Sequence, residues 1–359
     1  METDCELPSG IARLDALRRR AADQGLPLHG TLELTQRCNF RCVHCYVLPG
    51  AKPPSSELTA GDWLALAQEA ADAGCFSVLL TGGEPLLRND FAEIYLGIRR
   101  MGIHVMLFTN ASRVDGQIIE ALRRAPPRLI EVTVYGASPE TYRRVTGRPE
   151  GHAEAMRGIS LLRRAGLPVR LKTVLMQPNA GDFEVLRPLA AEGEPPMRYD
   201  AVLQPRFRGD REIERLRLPP EEVVALESRV IPELPGQWQA QRNRRQPSSP
   251  GERSMLYSCA AGAISFYVTA DGRVQPCVSA SRHGVRYERG KLLEAFRACR
   301  YSARSLPAPA AYACATCEDR VFCGSCPPLA DLECGDEAGV CAYACTLAHE
   351  RGKRMAAEN

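Results

Sequence analysis

Three cysteines crowd into eight residues, Cys38-x3-Cys42-x2-Cys45, in a chain of 359 residues that carries fifteen cysteines in all. Seven more fall between Cys314 and Cys345, preceded by Cys259 and Cys277. The amino-terminal stretch METDCELPSGIARLDALRRR lacks the apolar core of a secretory signal. The expected compartment is therefore the reducing cytoplasm, where closely spaced thiols read as metal ligands rather than disulfides. Zinc closes its structural sites with four ligands, so a zinc reading of the trio needs a fourth, for which His44 is the nearby candidate. A [4Fe–4S] cube on three cysteines instead leaves one iron free to chelate a small molecule and pass it an electron.

A second element separates these readings. The apolar run Phe76–Leu80 leads into Thr81-Gly82-Gly83-Glu84-Pro85. Two glycines permit a close backbone approach to a ligand, and Glu84 offers a carboxylate to an ammonium group. A closed zinc site explains neither this loop nor an odd number of thiols.

Both loops need a frame. From residue 31 to about 232 the sequence repeats a β-branched run, a loop and an amphipathic helix. Strands are predicted at Thr31–Thr35, Phe76–Leu80, His104–Phe108, Leu129–Val134, Val169–Leu175 and Arg198–Leu203. Helices are predicted after Thr59, where Asp62 completes a capping-box pattern, and over Asp90–Met101, Gln117–Arg124 and His152–Ala165. Such alternation gives a parallel sheet that curls into a partial (β/α)6 TIM-like barrel. Its active loops lie at the carboxyl ends of the strands, where the cysteine and GGEP loops both fall. Residues 233–256 read as a linker with the basic run Arg242–Arg245, and 257–359 as a small, cysteine-rich, loop-rich domain with one hairpin turning at Asp271-Gly272. So small a segment buries little core, and bound metal is expected to hold it together.

Composition excludes other classes. Forty-six Lys and Arg against 43 Asp and Glu leave +3, too balanced to indicate a nucleic-acid binder. Hydrophobic residues at 45% and charged residues at 25% speak against wholesale disorder. No apolar run reaches bilayer length, so no membrane span is expected.

With both motifs in this order, residues 31–232 resemble the radical SAM superfamily. The resemblance implies that Cys38, Cys42 and Cys45 hold a [4Fe–4S] cluster completed by S-adenosyl-L-methionine, and that Gly82, Gly83, Glu84 and Pro85 form the methionine cradle. It further implies reductive cleavage of the sulfonium and hydrogen abstraction by a 5′-deoxyadenosyl radical. By the same likeness His44 and Tyr46 lie near the adenine, and Thr133 and Lys172 near the ribose or carboxylate.

The pattern Cys259-x12-Gly272-x4-Cys277, then Cys314-x2-Cys317-x5-Cys323-x2-Cys326 and Cys345, resembles the SPASM extension, which carries two auxiliary [4Fe–4S] clusters. The last pair of the quartet is one residue closer than the family spacing. Carried across by position, Cys314, Cys317, Cys323 and Cys345 hold the second auxiliary cluster, and Cys259, Cys277 and Cys326 the first. That leaves the first one ligand short, with Cys334 and Cys341 as spare thiols and Cys341 competing with Cys345. A four-thiolate zinc ribbon is the alternative for the quartet. Cys5, Cys75 and Cys299 read as unpaired structural thiols.

SPASM-bearing relatives of this size modify peptides, and Tyr135–Tyr142 and Val145–Gly147 resemble segments of such maturases. The expected reaction is a net oxidation of a ribosomally made precursor peptide, through a thioether or carbon–carbon cross-link. The alternatives are a sulfatase-type formylglycine maturase, which needs a carboxylate base, and an iron–sulfur redox or iron sensor without turnover. The expected partners are the precursor peptide and a reductant such as flavodoxin or ferredoxin. About 30 residues precede the first strand, an extension too short for a winged leader-binding domain. Leader recognition is then expected from a separate protein, or from the barrel and basic linker.

Overall fold

A computed structural model describes residues 10–47, 56–207, 210–231, 233–244 and 255–357. An amino-terminal helix, α1 (Gly10–Gln24), precedes strand β1 (His29–Glu33). Then come α2 (Ala60–Asp72), β2 (Ser77–Thr81), α3 (Phe91–Arg100), β3 (His104–Thr109), α4 (Gly116–Arg124) and β4 (Leu129–Thr133). Two helices, α5 (Pro139–Thr146) and α6 (Glu150–Arg164), lead to β5 (Val169–Val174). The short α7 (Phe183–Leu186) and β6 (Arg198–Asp200) complete the predicted barrel, followed by α8 (Pro220–Val230) and α9 (Leu234–Arg244). The carboxy-terminal part holds β7 (Ser265–Val268), β8 (Arg273–Gln275), β9 (Val285–Arg286), α10 (Leu292–Arg304), α11 (Pro327–Cys334) and α12 (Ala342–Ala357).

The six predicted strands pair in parallel, in the order β6-β5-β4-β3-β2-β1. Alternation along each strand decides what faces where. Leu32, Leu80, Val105, Leu107, Ile130, Val132 and Leu171 are fully or almost fully buried with the helical layer of Trp63, Leu66, Ile94 and Ile98. Each such large apolar side chain contributes about 1.5–3 kcal/mol when fully buried. The residues between them, among them Glu33, Phe108, Glu131 and Lys172, take the concave face. The α2 start carries the predicted capping box, Thr59 accepting from the Asp62 N–H and Asp62 from the Thr59 N–H.

Two parts of the carboxy-terminal third differ from expectation. Residues predicted as linker form α9 in the described part, with Trp238 buried against Phe322, Ala348 and Met355. Residues 245–254, with Arg245 of the basic run, lie outside the described residues, as does Cys5. The segment predicted as loop-rich holds three helices, and α12 packs on α8, where Arg351 pairs with the buried Glu227. The predicted hairpin, β7 and β8, turns at Gly272 in a left-handed conformation (φ +82°). It does not stand apart. Strand β7 pairs in parallel with β1, extending the barrel to a nine-stranded sheet. Sequence periodicity cannot announce such a pairing, because both strands read as ordinary half-buried strands. Among the described residues no helix is long and apolar enough to cross a membrane.

Candidate active site

The loop after β1 presents the three thiols at the mouth of the barrel, with Cys42 buried, Cys45 half-buried and Cys38 exposed. It is gripped from three sides. After β2, Gly83 and Glu84 donate their N–H groups to the Thr35 and Arg37 carbonyls at 2.7 and 2.8 Å. After β3, Asn110 donates to Asn39 at 3.1 Å and Asn39 to Ser112 at 2.8 Å. From the end of α5, the Val145 and Thr146 carbonyls accept from Val43 and Arg41, both at 2.9 Å. Sequence reading missed Asn39, Asn110 and Ser112, since polar loop residues carry no periodicity signal.

The two glycines do have a close neighbour, but it is the cysteine loop itself. A Cβ on Gly82 would lie 2.3 Å from the Thr35 carbonyl oxygen, and one on Gly83 2.3 Å from that of Arg37. Gly82 also has φ +146°. Glu84 has likewise been recruited inward. Its carboxylate is fully buried and accepts from the Leu86 N–H at 3.1 Å, the Thr109 hydroxyl at 2.7 Å and the Asn110 N–H at 2.7 Å. It braces the GGEP turn against the end of β3. Burial pushes its pKa up to about 7, against those three donors. Pro85 opens a short 3-10 turn behind it.

His44 is half-buried beside Tyr135, ring centroids 5.6 Å apart. Burial lowers its pKa to about 4, so it is neutral at pH 7, and its Nδ1 finds no hydrogen-bond partner among the described residues. Tyr46 packs on Phe207 at 4.9 Å. Thr133 and Lys172 are register partners on β4 and β5. The Lys172 ammonium sits 3.1 Å above the Phe108 ring and 3.7 Å from buried Glu131. Burial is the main force holding its pKa down at about 7. Arg170 and Arg198 approach the same carboxylate at 3.0 and 3.5 Å, so one carboxylate meets three cations on the concave face.

Two further groups escaped sequence reading. Glu33, on the concave face at the end of β1, accepts from the Tyr267 hydroxyl at 2.6 Å and also hydrogen-bonds with Gln36. A lone acid inside the apolar run Leu32-Glu33-Leu34 was the available signal. Tyr135 shares a hydrogen bond with the Cys42 thiol.

The carboxy-terminal thiols line a second site. A cavity of about 190 Å³ is walled by Cys259, Cys314, Cys317, Cys323, Cys326, Cys341 and Cys345. Zinc draws thiolates to about 2.3 Å of one point. A thiol-walled cavity suits a larger sulfur-bridged group. At the barrel mouth, burial raises the Cys42 and Cys45 pKa values, so cationic iron would be needed to stabilise them as thiolates. Donor set and surroundings fit a cluster at both places. Cys75 and Cys299 are buried in the main core, each bonding a nearby carbonyl, as unpaired structural thiols should.

Residues 32–186 match the sequence profile of the Radical SAM superfamily. That region, which spans the barrel up to α7, belongs to the superfamily. The chain is 28% identical over 261 residues to the AdoMet-dependent heme synthase of Methanosarcina barkeri (strain Fusaro / DSM 804), covering 68% of this chain and 75% of that protein. It is also 28% identical over 256 residues to the sporulation killing factor maturation protein SkfB of Bacillus subtilis (strain 168), covering 71% of this chain. That match spans 61% of SkfB, less than two thirds of its length. Among solved structures, Streptococcus suis SuiB bound to S-adenosylmethionine superposes with a TM-score of 0.68 at 16% identity, covering 94% of this chain and 83% of SuiB. SuiB is also solved with its precursor peptide SuiA. This radical SAM enzyme therefore has the α/β partial barrel and cysteine-rich carboxy-terminal region of that fold. Its superfamily cofactors are a [4Fe–4S] cluster and S-adenosylmethionine.

Proposed function

We propose that this chain oxidatively modifies a ribosomally made precursor peptide, forming a thioether or carbon–carbon cross-link. When bound, the cluster and S-adenosylmethionine would supply one-electron radical chemistry able to remove a hydrogen atom from the substrate. The protein's part is to position and enclose. Cys38, Cys42 and Cys45 hold the cluster, and the braced turn Gly82–Pro85 fixes the loop around it. With the Glu84 carboxylate turned inward, backbone carbonyls of the turn are left to take the methionine ammonium. His44, neutral at pH 7, and Tyr46 flank the adenine, with Thr133 and Lys172 deeper on the concave face.

The observation that carries the reading is the thiol-lined cavity in the carboxy-terminal part of the chain, whose hairpin strand β7 pairs with β1, the strand that leads to the cysteine loop. Cross-linking removes two electrons, and auxiliary [4Fe–4S] clusters held by the thiols of that cavity would supply an acceptor for the second. The likeness to SkfB and SuiB supports a peptide as substrate. Anaerobically reconstituted enzyme, given a reductant, S-adenosylmethionine and the peptide encoded beside its gene, should release 5′-deoxyadenosine and leave the peptide lighter by one H2 per cross-link. A pure iron–sulfur sensor would release none.

A second reading has its own observation. Arg170 and Arg198, with the partly protonated Lys172 beside them, outnumber their one carboxylate, Glu131, which favours an anionic substrate. With the likeness to a heme synthase, this points to a carboxylate-bearing tetrapyrrole. Deoxyadenosine release stimulated by an iron coproporphyrin and not by peptide would select it.

A further inference from the structure

The carboxy-terminal thiols sort by their neighbours. Cys323 and Cys345 lie within electrostatic reach of Cys314 and Cys317. Cys326 lies within reach of Cys277 and Cys259, with Cys323 as a weaker neighbour, and Cys277 lies within reach of Cys259. The first set is a complete quartet for one cube, whereas the second stops at three.

Cys341 stands beside the incomplete set. It is fully buried, and it walls the same cavity as Cys259 and Cys326. With Leu329, Ala330 and Ala344 it packs against Cys326 and Cys323. Its thiol shares a hydrogen bond with Ser325, the residue next to Cys326. The start of α12 explains how two nearby cysteines can serve two sites. The Cys345 N–H donates to the Cys341 carbonyl at 2.9 Å, placing the thiols one helical turn apart. Cys345 has Cys317 and Cys314 as neighbours, while Cys341 has Cys326 and Cys334. Cys334 is exposed, and its thiol donates to the Ala330 carbonyl at 3.0 Å, so it is engaged locally.

We propose that Cys341 is the fourth ligand of the first auxiliary cluster, joining Cys259, Cys277 and Cys326 and closing that cluster to substrate. The proposal rests on the reading of auxiliary clusters given above. Cys341 and Cys345 then do not compete, since each closes a different cube. A fully ligated first cluster can accept an electron but cannot hold a peptide thiolate on iron.

The test compares anaerobically reconstituted wild type with Cys341→Ala, Cys341→Ser and Cys334→Ala, by iron and sulfide content and by electron paramagnetic resonance after reduction. Free cysteine is the probe for an open iron. Wild type and Cys334→Ala should hold about twelve irons per chain and show spectra indifferent to added cysteine. Cys341→Ala should either fall to about eight irons or keep the cluster with a signal that shifts when cysteine is added. Cys341→Ser, which keeps a small polar side chain and the fold, should retain the iron with altered g-values. Wild-type iron and wild-type, cysteine-insensitive spectra in both Cys341 variants would overturn the proposal. Wild type with only about four irons would instead overturn the reading of auxiliary clusters on which it rests.

Discussion

The loop at the barrel mouth and the cavity at the carboxy-terminal end both gather thiols, and they are held in opposite ways. The mouth loop is clamped by backbone and side-chain hydrogen bonds from the ends of β2, β3 and α5. The cavity is walled by short 3-10 turns, Ala313–Ala315 and Glu318–Phe322, with α11 and α12 behind them. One site has its shape imposed by a sheet. The other depends more on what its thiols bind, because turns of this length have few bonds of their own.

The strongest break of this contrast is chemical. Cys42→Ala should lose 5′-deoxyadenosine release to background while its carboxy-terminal iron stays, and turnover at the parent rate would refute the whole reading. Gly83→Val should come close to that effect without touching a ligand. Its side chain collides with the Arg37 carbonyl, so the clamp opens at a cost of about 1–3 kcal/mol. Roughly four irons should be missing, with the remainder unaffected. Normal iron content in this variant would mean that the clamp is unimportant.

Removing metal sharpens the contrast from the other side. Chelation of the holoenzyme should speed protease cleavage in the segment 305–326 and leave the barrel resistant. Equal sensitivity of both regions would erase the distinction. Arg351→Ala leaves Glu227 buried with the Tyr199 hydroxyl as its remaining partner, and should cost about 3–5 kcal/mol by urea unfolding.

The smallest effect is in pH. Burial holds Glu33 and Glu84 at about 7, above their ordinary value of 4.5. The folded chain therefore binds protons more tightly than the unfolded one across that window. Stability should fall as pH rises from about 4.5 to about 7 and then level off. Glu33→Gln should shallow the decline, and an unchanged melting profile would show that Glu33 is already ionised throughout.

Much of this was legible in the residues. Trios and quartets of cysteine are chemical patterns with fixed spacing, and the alternation of strands and helices is periodic. What stayed hidden depends on three dimensions. The sequence motif Gly82–Glu84 pointed to a ligand cradle, but its nearest partner is the neighbouring loop, which only contact could reveal. Glu33 was passed over because its partner Tyr267 lies in another part of the chain. Helix α9 was missed for a different reason, since prolines and arginines dominate the composition around it and mask a modest helical stripe.

The pairing of β7 with β1 has a consequence for synthesis. Until the ribosome has delivered residue 268, the strand leading to the cysteine loop keeps one bare edge, a template for association with other nascent chains. Fragments ending before Ser265 should therefore clump when expressed, and cells making this protein gain from chaperones that shield that edge until the hairpin arrives.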